Sequence, residues 1–152
     1  MKKEKPSHET PLYALTRLAW PAILTGAIAD LLLSMLMSIG LVYLFMQTSG
    51  LSGAGTDTLD QAFRTSPFYW VSLVLGVLIS GLGGGIAGWL APEEHHLHGL
   101  MAAFLTNVVY TFIATWDTPF TLVEFAGSMF GLLLGMVGGW LAGIVKARVI
   151  SS

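Results

Sequence analysis

The sequence predicts an all-α membrane protein, a bundle of four transmembrane helices. Three observations carry that expectation. The chain of 152 residues is 54% hydrophobic, with a mean hydropathy of +0.71. Only 11% of its residues are charged, where a soluble domain carries about a quarter, so polar groups are too few to cover a surface facing water. Four apolar stretches each reach the roughly 20 residues that a helix needs to cross about 30 Å of hydrocarbon.

The same figures exclude several classes. A net charge of −2 argues against a nucleic-acid partner, which needs a strong basic excess. With no cysteine there is no disulfide, Cys-ligated metal or thiol nucleophile. Continuous apolar runs, rather than strict alternation, exclude the strands of a β-barrel.

Taken in order, residues 1–19 form an N-terminal segment, polar through Pro11, and residues 20–146 the transmembrane domain, followed by a tail at 147–152. The first span, about 20–46, is too long for the core of a signal peptide and lacks a small-residue cleavage site. A loop at 48–67 holds Gly50, Gly53, Gly55, Asp57, Asp60 and Arg64 and ends at Pro67. The second span, 68–91, stops at Ala91-Pro92, because proline disfavours helix in the residue before it. After Glu93-Glu94-His95-His96 the third span covers 97–116. A turn with Asp117 or Thr118 as N-cap and Pro119 in the first turn opens the fourth, 120–145.

Lys2, Lys3, Lys5 and Arg17 precede the first span and Lys146 and Arg148 follow the fourth, while only Arg64 falls in the long loop. The positive-inside bias then places both termini in the cytoplasm of a cell membrane (inner or plasma membrane) and the loop outside. Trp20, Trp89 and Trp140 fall towards the inner interface, and Trp70 and Trp116 towards the outer.

Small or polar residues recur every fourth position in each span. The fourth span gives Gly127, Gly131, Gly135, Gly139 and Gly143, and the second Ser72, Gly76, Ser80, Gly84 and Gly88. Such positions stack on one helix face and leave a groove for a neighbouring backbone. In lipid, close van der Waals packing replaces the hydrophobic drive between helices, so the two ridges are expected to cross closely within one subunit; packing between subunits is the rival. The first span carries Ala22, Gly26, Asp30, Ser34 and Ser38, and the third Gly99, Ala103, Asn107, Thr111 and Thr115. Asp30 and Asn107 take the same place in their series, which suggests two helical hairpins in a parallel repeat.

Gly83-Gly84-Gly85-Ile86-Ala87-Gly88 makes a G-G-x-x-A-G ending on the second span, and Leu97-His98-Gly99 opens the third. In these motifs the chain resembles families of small four-span bacterial integral membrane proteins. The resemblance covers about half of the chain. It implies the four-span fold and brings no activity with it.

Asp30 is the sharpest functional candidate. It lies ten residues into the first span, about 15 Å from its start, and no span contains a lysine or arginine to pair with it. A carboxylate at that depth should face the bundle or a wet cavity, protonated, bound to a cation, or hydrogen-bonded to Asn107, Ser34 or Thr111. Glu124, near the start of the fourth span, suits the positive end of a helix dipole; turned inward, it would extend a polar path from Asp30 through Asn107 and Thr111. In the Glu93–His98 turn, Glu94, His95 and His98 have the spacing and chemistry of divalent-metal ligands, against a solvated turn as the plainer account. No cofactor is otherwise implied. No nucleophile pattern or phosphate loop is present, so no enzyme activity is expected.

Two readings of function follow. The first is a non-enzymatic scaffold, an accessory or assembly subunit whose partners are the lipid bilayer and other membrane subunits or further copies of itself. The alternative is a small proton- or cation-coupled transporter or channel acting as an oligomer, with Asp30 as coupling site.

Overall fold

A computed structural model describes residues 18–51, 53–114 and 121–151, without the side chain of Ala114. Among these residues run five helices and no strand: α1 Trp20–Ser49, α2 Thr56–Arg64, α3 Pro67–Leu90, α4 His95–Ala114 and α5 Leu122–Ile150. All but α2 are long and apolar enough to cross a membrane. The four-helix expectation holds, and the chain is all-α.

Local signals explain the boundaries. Proline stands in the first turn of both α1 and α3, where a missing N–H costs nothing. Helix α1 stops on Gly50, whose φ of 68° is the left-handed conformation that glycine tolerates best. Helix α3 ends at Ala91, extended before Pro92.

Two boundaries differ from expectation. The stretch 48–67, read as a polar loop, contains α2, a helix of nine residues. Helix α5 is capped by Thr121, whose hydroxyl accepts from Glu124 N–H while the Glu124 carboxylate accepts from Thr121 N–H. This reciprocal box fixes the start at Leu122 rather than 120. The caps proposed at Asp117 and Thr118, with Thr115, Trp116, Pro119 and the N-terminal basic residues through Arg17, lie outside the described residues.

The helices place oil outside and small or polar groups inside. Leu24, Ile28, Leu32, Leu36, Leu82 and Phe130 are exposed, whereas Asp30, Ser80, His98 and Thr106 are buried. In water that arrangement would be an aggregation surface; in a bilayer it is a solvent match. Helix α3 makes its widest contact with α5, and α4 also lies against α5. Helix α1 packs on α3 and α4 and has little contact with α5, so α3 and α4 stand between the two.

Backbones meet at one pole of the bundle. A Cβ added to Gly84 would lie 2.6 Å from Gly135 Cα, and one on Gly88 would lie 2.5 Å from Gly139 Cα. One on Gly135 would lie 2.5 Å from Ala103 Cβ, so three helices converge there. On the other flank, one on Gly26 would lie 2.6 Å from Ala87 Cβ. Spans two and four therefore do cross closely within a single chain.

The ridges are not used along their whole length. Gly76 has nothing within 4 Å of an added Cβ, and Gly127 meets only Leu73 Cδ2 at 3.9 Å. Gly131 is intermediate, 3.4 Å from Ser80 Oγ, and Gly143 faces the His95 ring rather than a backbone. The expectation of one continuous groove is corrected accordingly. Two straight helices that cross at an angle touch over a few turns and then diverge.

Candidate functional site

Where the ridges part, all five helices line a cavity of about 280 Å³. Asp30, Ser34 and Ser38 come from α1, Ser72, Gly76 and Ser80 from α3, Thr106 and Asn107 from α4, and Glu124, Gly127, Ser128 and Gly131 from α5. Its deep end is polar, and serines and aliphatic side chains share its middle. At the far end it reaches Asp60, Phe63 and Arg64 of α2.

Asp30 sits at the deep end, 1% exposed. Gly83 makes room for it, since a Cβ there would lie 2.6 Å from the Asp30 Cβ. Ser34 Oγ donates to Asp30 Oδ1 at 3.3 Å, while Oδ2 is buried without a hydrogen-bond partner. No ion pair joins Asp30 to a described residue. Buried polar atoms without partners are rare and costly, about 1–3 kcal/mol or more.

Of the three partners expected for Asp30, only Ser34 bonds to it. Asn107 Nδ2 donates instead to Ala103 O, one turn back on its own helix, at 2.9 Å. That leaves its amide oxygen and its second N–H beside the cavity it lines. Thr111 is half-buried and does not line the cavity. Thr106, whose hydroxyl bonds Ala102 O at 3.1 Å, borders the cavity beside Ser80.

The mouth was less legible. Arg64 donates to Asp60 at 2.9 Å and across to Glu124 at 3.1 Å. The Asp60 hydrogen bond holds the Arg64 pKa above its ordinary value against partial desolvation, so the guanidinium stays charged. Phe63 stacks edge-on against Phe45 at 5.4 Å between ring centroids, and Phe45 meets Phe68 at 5.7 Å. Helix α2 thus reaches from α1 to α5, the two long helices that barely touch. Glu124 caps α5 and also lines the cavity, but the polar path expected through Asn107 and Thr111 is not formed, since Thr111 does not line it. The available signal was the i,i+4 spacing of Asp60 and Arg64 inside a stretch rich in glycine.

The histidine turn assembles differently from a metal site. Ala19 N–H, which can only donate, points to His98 Nε2 at 2.9 Å, so that nitrogen accepts and Nδ1–H donates to Glu94 O at 3.0 Å. Both nitrogens are engaged. His95 Nδ1 pairs with Gly88 O at 2.7 Å. Glu94 has a φ of 48°, and its carboxylate lies 3.7 Å from His96 Nε2. Among the described residues no three His, Asp or Glu side chains converge on a metal position. The reason is local: helix ends leave backbone groups unpaired, and His95, His98 and Lys146 pair them. Lys146 Nζ donates to Trp89 O at 2.9 Å and to Ala91 O at 2.7 Å.

No protein-family model, curated protein or solved structure matches the chain. Its four apolar helices decide its broad class. The chain is a small multi-pass membrane protein, with lipid as the solvent of its outer faces.

Proposed function

We propose that the chain has no catalytic chemistry and takes up a proton or a small cation at Asp30, as a transporter or channel subunit. One observation carries the reading: a carboxylate 1% exposed, with one oxygen unpartnered, at the deep end of a cavity. Burying a carboxylate without a counter-charge costs several kcal/mol, so a proton or a cation must accompany it. The cavity supplies the route. Its titratable carboxyl and guanidinium groups are Asp30, Asp60, Glu124 and Arg64, three acids against one base, which favours cations over anions.

The orientation inferred from lysine and arginine turns the mouth outward and both termini to the cytoplasm. Tightly packed glycines lie below Asp30, so a path through the membrane needs a rearrangement there or a second copy of the chain. The glycine ridges meet within one chain, as expected for a scaffold and a transporter alike, so the buried carboxylate is what favours transport.

Reconstitution in liposomes tests the proposal. A pH or cation gradient should drive a flux that Asp30→Asn abolishes, since the amide keeps the shape and loses the charge. Equal flux through wild type and a folded Asp30→Asn variant would overturn it, and stoichiometric co-purification with larger subunits would restore the accessory role.

A further inference from the structure

The cavity is far larger than a bare ion. About 280 Å³ is the liquid volume of roughly nine water molecules, and a proton or dehydrated alkali ion would occupy a small corner of it. More of its wall is apolar than polar: beyond the floor Leu31, Met37, Leu73 and Val77 stand among Ser38, Ser72 and Ser128, then come the rings of Tyr69 and Tyr110. The floor offers one carboxyl group, with Asp30 Oδ2 lacking a hydrogen-bond partner. Its neighbour Asn107, which spends one of its two amide N–H groups on Ala103 O, lines the cavity with it.

We infer that the cavity binds a monovalent organic ammonium, a protonated amine with an apolar body. This rests on the reading of Asp30 as the cation site. The amine supplies what the floor lacks, a positive charge and an N–H for Oδ2, and its body lies along the aliphatic wall. Tyr69 and Tyr110 offer ring faces or edges to the end nearer the mouth. One carboxylate selects one positive charge. The unpartnered oxygen favours an N–H donor over a quaternary ammonium ion, and the acids at the mouth disfavour anions. When Asp30 enters the encounter protonated, the incoming cation displaces that proton, so binding releases one proton per amine.

Calorimetry on the purified full chain in nanodiscs is the test, with 2-phenylethylammonium chloride as probe. Its neutral isostere 2-phenylethanol, its anionic analogue 3-phenylpropanoate and methylammonium serve as comparisons. The aromatic ammonium should bind saturably and release protons, and the alcohol and the carboxylate should bind about tenfold more weakly or not at all. Asp30→Asn, checked for folding by circular dichroism, should remove the preference for the ammonium. Gly76 lines the cavity with free space around it, so Gly76→Leu should weaken the aromatic ammonium more than methylammonium. Equal binding of ammonium and alcohol would mean partition into lipid and would overturn the inference. So would absence of saturable binding in a wild-type protein that still shows Asp30-dependent proton or sodium flux, with the transport reading left intact. Loss of both would remove the two together.

Discussion

The two poles of this bundle are built from the same repeat and do opposite things. At the pole with Lys146, Gly84, Gly88, Gly135 and Gly139 bring backbones into contact, with Gly99 and Ala103 closing the third side. At the pole with α2, Ser72, Gly76, Gly127 and Ser128 continue the same helix faces and line an open cavity. The difference teaches that a small-residue ridge marks where a neighbour can approach, while the crossing geometry decides where it does. Polar closure differs too. The sealed pole ties helix ends through Lys146, His95 and His98 to backbone groups, whereas the open pole is held by side chains alone, through Arg64 and a cluster of three phenylalanines.

Identical substitutions at the two poles should therefore differ in sign. The largest effect is expected from Gly84→Ala, whose new methyl group meets the Gly135 backbone. It should destabilise the fold by about 2–3 kcal/mol, read from thermal unfolding in detergent, because backbone atoms cannot move aside as a side chain can. Next comes Lys146→Met, which leaves the Trp89 and Ala91 carbonyls without their donor; a loss of about 1–2 kcal/mol is expected at this partly exposed position. Gly76→Ala should do the reverse and stabilise by up to about 0.5–1 kcal/mol, since nothing obstructs the methyl group and alanine favours helix. A destabilised Gly76→Ala would mean that the cavity is closed in the membrane. Smallest in stability is Arg64→Gln, under about 1 kcal/mol for a pair exposed on one side. Its readout is flux or amine affinity, which should rise as the mouth loses its one positive charge.

The sequence showed the sealed pole better than the open one. Gly84, Gly88, Gly135 and Gly139 announce themselves by spacing, because a groove in lipid depends on missing side chains. Gly83 and Gly138 are equally tight yet fall off the four-residue series, since each helix meets more than one neighbour and needs a second small face for it. Asp30 was legible through its cost in hydrocarbon. Ser34, one turn on along the same face, was legible as its partner; that Asn107 would turn away was not, because it can satisfy its amide within its own helix and nothing in the spacing forbids that. The histidine turn left two readings open for a related reason: nitrogen atoms suited to a metal serve equally well for the unpaired backbone groups at helix ends.

The sequence by itself determined how many times the chain crosses, roughly where, and which positions admit close contact, because hydropathy, length and side-chain size belong to the chain before it folds. Only the tertiary structure decided which glycines touch, that α2 bridges α1 and α5, and that the space above Asp30 stays open. Those outcomes depend on helix rotation and crossing angle, which no single segment fixes and which all four long helices set together.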